Sequence, residues 1–172
     1  LEEIEDGSDL KDEKSSLQLT EDERKKAITV LEGDIYNLTP KMKRTMLLLR
    51  IDETISSGEA IYNYDIITIE HILPQTPAIG SEWCEWWPDS VERENDVHKI
   101  GNLALLNRRQ NAAARNWPFA KKKDKYFCGK SGSSPFAITT EVIAKTQWKP
   151  HDFEERQKRF VEILMNLWRL KK

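Results

Sequence analysis

Apolar residues at helical spacing organise the first third of the chain. Thr20 and Glu23 form a T-x-x-E capping box, which marks the start of a helix. Apolar residues then recur every three or four positions, at Ile28, Leu31, Ile35 and Leu38. Gly33 is expected to weaken this helix by roughly 1 kcal/mol without breaking it. A second helix is predicted from Pro40 to Gly58, because proline favours the first turn and glycine the position after the last turn.

β-branched and aromatic residues replace the helical spacing between residues 61 and 73. This segment, IYNYDIITIEHIL, predicts a strand that ends near His71, since Pro74 cannot continue a ladder. A second short strand, NLALL, follows Gly101. Residues 78–99 are predicted as a long connection that carries three tryptophans, Trp83, Trp86 and Trp87. We expect these side chains to pack the connection onto the core, with base stacking as the alternative.

The rest of the chain returns to helical patterns. Four further helices are predicted, over about 108–115, 118–129, 140–147 and 151–170. Asn107 is suited to cap the first of them, and Pro118 opens the second. The last helix has its apolar side chains on one stripe, at Phe153, Phe160, Leu164 and Leu167.

The order of these elements predicts an α+β fold. Helices come first, then strand, connection, strand and helix, and then helices again, which places a small two-stranded unit inside a mostly helical domain. Residues 1–18 lack periodicity and are predicted to be a linker or a frayed segment. We therefore expect one domain over residues 19–172. Its two-stranded core covers about residues 65–116, with flanking helices over about 20–58 and 118–170.

The charge distribution is more informative than the net charge of −2. Residues 1–34 hold twelve acids and five bases, whereas residues 108–130 hold eight bases and one acid. Such a basic block is able to follow a phosphate backbone, and the alternative is a solvated helix face. No run of 18 apolar residues occurs, so we expect no membrane span.

Glu70 and His71 carry the candidate chemistry at the end of the first strand. Hydrolysis of a phosphodiester needs an activated water and neutralisation of charge on the phosphate. A histidine with the ordinary pKa of about 6.5 is mostly in its basic form at pH 7. Two further candidates are Asn102 in GNLALL and Asn111. A strand followed by a capped helix would bring Asn111 back towards the strand that carries His71. A carboxylate and an amide oxygen suit Mg²⁺, although a lone Glu-His pair is more often an ordinary polar pair.

Three segments resemble a known nuclease family when they are taken together. They are IEHILPQ, HKIGNLALLNRRQNAAARNWPFAKKKDKY and QWKPHDFEERQKRFVEILMNLW. The combination is similar to the C-terminal domain of GmrSD-type restriction enzymes, which belong to the HNH, or His-Me finger, nucleases. The resemblance covers roughly residues 35–170. It implies a ββα-metal core and a metal-dependent DNA endonuclease. A single such site cuts one strand per encounter, so nicking is expected, and double-strand cleavage would need two copies or two visits.

The resemblance also implies the role of each candidate residue. His71 would be the general base, and Asn102 would fix the loop and the base. Glu70 and Asn111 would hold Mg²⁺, for which Mn²⁺ substitutes. Asp is the commoner acid at the Glu70 position in the wider class, and Asn in place of His at position 111 favours Mg²⁺ over zinc.

Residues that contact DNA are expected to flank this core. The candidates are His98, Arg108, Arg109, Arg115, Asn116, Lys121 and Lys122. For His98 the alternative is that it only caps the second strand, and for Asn116 and Lys121 it is capping and solvation.

The resemblance further implies partners for the domain. The parent protein would attack modified phage DNA in the cytoplasm of a bacterium or archaeon. An N-terminal nucleotide-hydrolysing domain of ParB-like type would sense the modification and control the nuclease. The alternative function is a catalytically inactive domain that binds DNA or docks a partner.

Overall fold

In the described part of the chain, helices of 4 to 18 residues surround a small two-stranded sheet. The computed structural model of the protein describes residues 2–7, 9, 12, 15–58, 60–107, 116–128 and 132–171. In chain order the elements are α1 (Glu2–Glu5), α2 (Glu21–Glu32), α3 (Ile35–Leu38), α4 (Lys41–Ile55), β1 (Thr68–His71), α5 (Glu82–Trp86), α6 (Ser90–Asp96), a 3-10 turn (Ile100–Asn102), β2 (Leu103–Leu106), α7 (Phe119–Lys122), a π-helical turn (Lys123–Phe127), α8 (Ala137–Ala144) and α9 (Pro150–Leu167). No helix in these described ranges is long and apolar enough to cross a membrane.

The two strands pair as an antiparallel ladder. His71 lies opposite Leu103, and Thr68 lies opposite Leu106. The predicted α+β class and the pairing of two short strands are confirmed. The first strand is shorter than predicted, because residues 61–67 have no strand partner and pairing is limited to the four residues of β2. The predicted helix over 108–115, which a ββα core requires, lies outside the described residues.

The sheet separates two hydrophobic cores. Alternate side chains of a strand point to opposite faces. On one face Ile69, Leu103 and Leu105 join apolar residues of α2, α4 and α9. On the other face Ala104 and Leu106 join the tryptophan-rich core. A strand that is buried on both faces is apolar at every position, which explains the run LALL of β2.

The first predicted helix is interrupted, contrary to the expectation that it would pass through Gly33. Helix α2 ends at Glu32, and Gly33 caps it in an extended conformation. The chain then starts a new helix, because the Asp34 side chain accepts a hydrogen bond from the Asn37 backbone N–H at 2.8 Å. The restart brings Tyr36 against the sheet region, where its backbone N–H donates to the His98 carbonyl at 3.1 Å.

The connection between the strands is packed by its own aromatic side chains, as expected. It contains two short helices, α5 and α6, that the sequence pattern did not predict. Trp83 and Trp87 are fully buried. Their indole N–H groups donate to the carbonyls of Trp117 at 3.0 Å and Trp148 at 2.8 Å. These bonds satisfy the polar end of each ring inside the core.

Helix α9 holds the 3-10 turn that precedes β2. A Cβ on Gly101 would lie 2.8 Å from Cα of Gln157, so only glycine permits this close approach. The buried guanidinium of Arg156 donates to the carbonyls of Gly101 at 2.6 Å and Leu103 at 2.9 Å. Burial lowers the pKa of Arg156 to about 9, which leaves the group charged at neutral pH. The turn that carries Asn102 is therefore fixed from the side of α9.

The C-terminal helices form close to their predicted positions. Helix α8 covers Ala137–Ala144 rather than 140–147, and α9 covers Pro150–Leu167. Its predicted stripe is buried from Phe153 to Leu164, whereas Leu167 is partly exposed.

Candidate active site

His71 is held by hydrogen bonds at both ring nitrogens. It ends β1 and is 4% exposed. Nε2 of Gln75 lies 3.0 Å from Nδ1 of His71, and Nδ1 of His98 lies 3.2 Å from Nε2 of His71. An amide nitrogen only donates, so Nδ1 of His71 accepts. With the Gln75 amide in this orientation, the neutral ring carries its proton on Nε2 and donates it to His98.

Tyr36 packs against both imidazoles. Its ring meets His71 edge-on at a centroid distance of 4.3 Å and stacks on His98 at 5.6 Å. The guanidinium carbon of Arg44 lies 4.0 Å from the centroid of the Tyr36 ring. This packing restricts both histidines to one orientation.

Asn102 uses the full hydrogen-bonding capacity of its buried carboxamide. Oδ1 accepts from the Leu73 backbone N–H at 2.8 Å and from the Trp148 indole N–H at 3.2 Å. Nδ2 donates to the carbonyls of Leu73 at 3.1 Å and Val97 at 2.8 Å. Two donors and two acceptors are thus satisfied, which is the maximum for an asparagine side chain. Asn102 joins the segment after His71 to the segment before His98.

Glu70 lies on the opposite face of β1 from His71. Its carboxylate is buried, with Oε1 at 3.2 Å from Nζ of Lys122 and Oε2 accepting from the Tyr126 hydroxyl at 3.4 Å. Nζ of Lys122 also donates to the carbonyls of His71 and Ile72. The ammonium is therefore surrounded by oxygen atoms and ties α7 to the end of β1.

The described residues do not by themselves fit a divalent cation. No group of three or more histidine, cysteine or acidic side chains that might hold a metal occurs in the part of the chain that the structure describes. The carboxylate of Glu70 already pairs with the ammonium group of Lys122, and a metal ion would have to displace this group or share the carboxylate with it. Asn111 lies outside the described residues. The assignment of Glu70 and Asn111 as metal ligands stays a prediction.

The predicted DNA-contacting residues fall into three groups. Asn116 and Lys121 are exposed, and Nζ of Lys121 lies 4.5 Å from the centroid of the Trp117 ring. His98 contacts His71, and Lys122 is fully buried in its ion pair with Glu70. The remaining candidates, Arg108, Arg109 and Arg115, lie outside the described residues.

Part of the basic block faces inward. Nζ of Lys123 donates to the backbone carbonyls of Ile143 at 3.3 Å and of Lys145. Together with Lys122, this lysine stabilises the interior of the domain, so charge in the sequence overstates the charge on the surface.

Sequence reasoning missed two neighbours of His71. Gln75 follows it in the segment HILPQ, and this proximity in the chain was the available signal. Tyr36 is distant in sequence and lay inside a stretch predicted as one helix, so no local pattern indicated its contact with His71.

Comparison with known proteins identifies one family. A family model described as GmrSD restriction endonucleases, C-terminal domain, matches residues 13–163. The match contains both strands, His71 and Asn102. No functionally curated protein matches the sequence.

The ion pair between Glu70 and Lys122 predicts a large loss of stability when either partner is removed. Glu70→Gln and Lys122→Met should each lower the free energy of unfolding by about 3 kcal/mol, because each leaves a buried charge unpaired. The double variant should lose less than the sum of the two. Urea unfolding measures all three.

A matched control is available on the surface. Asp124 and Lys125 form an exposed ion pair, so Lys125→Met should leave the unfolding midpoint unchanged. A Glu70→Gln protein as stable as wild type would contradict the structural role of this carboxylate.

Proposed function

The chain belongs to the family of C-terminal domains of GmrSD restriction endonucleases, and from this premise we propose that it cuts DNA with His71 as the general base. The family makes it a nuclease domain of the restriction type. The proposal adds the residues that act, the substrate and the need for a metal ion. With one such site, each encounter cuts one strand, so the product is a nick.

The observation that carries this proposal is the way in which His71 is held. Its Nε2 faces His98 at 3.2 Å, and its Nδ1 faces the exposed side chain of Gln75 at 3.0 Å. When the Gln75 amide turns away, a water molecule is able to take its place at Nδ1. Nδ1 is therefore the nitrogen that would receive the proton.

The reaction balances with His71 as the proton acceptor. Nδ1 takes a proton from water, and the water oxygen forms a bond to phosphorus while the bond from phosphorus to the 3′ oxygen breaks. The 3′ oxygen then takes a proton from solvent. The imidazolium that forms on His71 keeps its Nε2–H bond to Nδ1 of His98, which stabilises the new charge.

Asn102 and His98 are positioning residues in this proposal. Asn102 holds the backbone of Leu73 and Val97, and these segments carry His71 and His98. His98 holds the ring of His71 in one tautomer. A role of His98 in binding phosphate is not needed for this arrangement.

Magnesium dependence remains part of the proposal, with manganese as a substitute. The chemical reason is that a doubly charged cation neutralises the phosphate. The described residues alone do not hold such an ion, because the carboxylate of Glu70 pairs with Lys122 and Asn111 lies outside the described residues.

A restriction endonuclease family is consistent with DNA as the substrate. We propose modified phage DNA as the substrate and an N-terminal ParB-like domain of the parent protein as the sensor. Exposed cations such as Lys121 would contact the phosphate backbone with little preference for sequence.

Replacement of His71 tests the proposed nuclease. His71→Ala should lower the rate of nicking of supercoiled plasmid by about 10²- to 10⁴-fold, as expected for loss of a general base. His151→Ala is the matched control, because His151 is exposed on α9 and pairs with Glu155. EDTA should abolish cutting by the wild-type protein, and Mn²⁺ should restore it.

The outcomes separate the possible functions. Cutting by His71→Ala at the wild-type rate would exclude His71 as the base. Cutting in EDTA would exclude the metal requirement. A wild-type domain that binds DNA and never cuts it would favour the inactive, DNA-binding alternative.

Replacement of His98 tests the positioning role. His98→Ala should lower kcat by on the order of tenfold, because a hydrogen bond to a charged group contributes about 1.5 kcal/mol or more. His98→Asn keeps an oxygen that accepts from Nε2–H of His71 and should restore most of the rate. Equal rates for the Ala and Asn variants, at equal melting temperature, would show that this hydrogen bond does not matter.

A further inference from the structure

A small pocket with two cationic side chains lies beside Tyr36. It has a volume of about 150 Å³, and it is lined by Tyr36, Lys41, Arg44, Thr68 and Ile69. No residue that lines it was a candidate for DNA contact from the sequence. We refer to it as the Lys41–Arg44 pocket.

The guanidinium of Arg44 is fixed but incompletely bonded. One terminal nitrogen donates to the Tyr36 carbonyl, and the group lies over the Tyr36 ring. Its Nε is buried, and within the described residues no acceptor meets it. Because these contacts already fix the guanidinium, an anion in the pocket would meet a cation that needs no further ordering.

The pocket is close to the candidate base. Thr68 and Ile69 belong to β1, the strand that ends at His71. Tyr36 contacts Arg44 on one side, and its ring also meets the imidazole of His71. One aromatic ring therefore separates the pocket from the proposed site of hydrolysis.

The start of α4 adds to the positive potential. The helix begins at Lys41, its first turn contains no acid, and Pro40 provides no side-chain cap. Cations at the positive end of a helix dipole are unfavourable unless an anion offsets them. An anion in the pocket would relieve this repulsion as well as meet Arg44.

We propose that the Lys41–Arg44 pocket binds a backbone phosphate of the DNA strand, next to the phosphate that His71 attacks. The inference deepens the proposed function and rests on it. The guanidinium and ammonium neutralise one phosphate and set the register of the strand, whereas His71 acts on its neighbour. The pocket contributes to substrate binding and not to the proton transfer.

Two lysines of the same helix turn provide the test. Lys41 lines the pocket, whereas Lys43 is exposed and does not, so Lys41→Met and Lys43→Met remove the same charge from different places. Binding of a fluorescent DNA duplex is measured with each substitution in the His71→Ala protein. Lys41→Met should weaken binding by on the order of tenfold near 0.1 M salt and reduce the salt slope by roughly 0.9. Lys43→Met should change neither.

The same substitutions in the active protein give a second readout. Lys41→Met should raise KM and leave kcat unchanged, because the contact is made before and during the reaction alike. Equal effects of the two lysine substitutions on binding and on KM would overturn the pocket while leaving the nuclease intact. A wild-type protein that binds duplex DNA but never cuts it would exclude the proposed nuclease activity. The difference in DNA binding between the two lysine variants would still show whether the pocket binds a phosphate. Absence of any DNA binding by the wild-type protein would overturn the pocket.

Discussion

The carboxamide of Asn102 joins the two segments on which the candidate site depends. Leu73, after His71, and Val97, before His98, both bond to it, and Trp148 completes its fourth hydrogen bond. Since the group is buried, loss of one partner would leave an unsatisfied polar atom in the interior. The distance between the two imidazoles is therefore set by a backbone connection and not by the histidines alone. Arg156 and Gly101 add to this rigidity from the side of α9.

The pleat of β1 directs the neighbouring side chains of Glu70 and His71 to opposite faces of the strand. His71 faces Tyr36 and His98, whereas Glu70 faces Lys122 and Tyr126 on the other side of the strand. One side thus presents an imidazole that is held at both nitrogens. The other side contains a buried ion pair, whose lysine donates to the backbone carbonyls of His71 and Ile72 at the end of the same strand. The ammonium group of Lys122 places a positive charge on that side of the strand, where it holds the backbone.

Short-range patterns predicted much of the fold and little of the contacts around His71. The capping box at Thr20, the apolar run of β2 and the stripe on α9 each reflect a local rule, so their elements formed as expected. The helix stops at Gly33 because the Asp34 side chain caps a new helix instead of continuing the first one. Helix propensity alone does not predict this competition. Lys122 illustrates the same difficulty for the site, because sequence reports its charge but not the carboxylate that accompanies it into the core. The position of Asn111 relative to His71 stays a prediction.

In the proposed mechanism Nδ1 of His71 is the unprotonated acceptor, bonded to the Gln75 amide in the structure, while the Nε2–H is donated to His98. Nitrogen-15 NMR of histidine-labelled protein, at a pH where the imidazoles are neutral, measures this tautomer directly. Spectra of the His98→Asn and His151→Ala proteins assign the signals. The structure predicts that His71 carries its proton on Nε2 and that Nδ1 has the chemical shift of an unprotonated nitrogen. A proton on Nδ1 would contradict the account, because that nitrogen would then be unable to accept a proton from water.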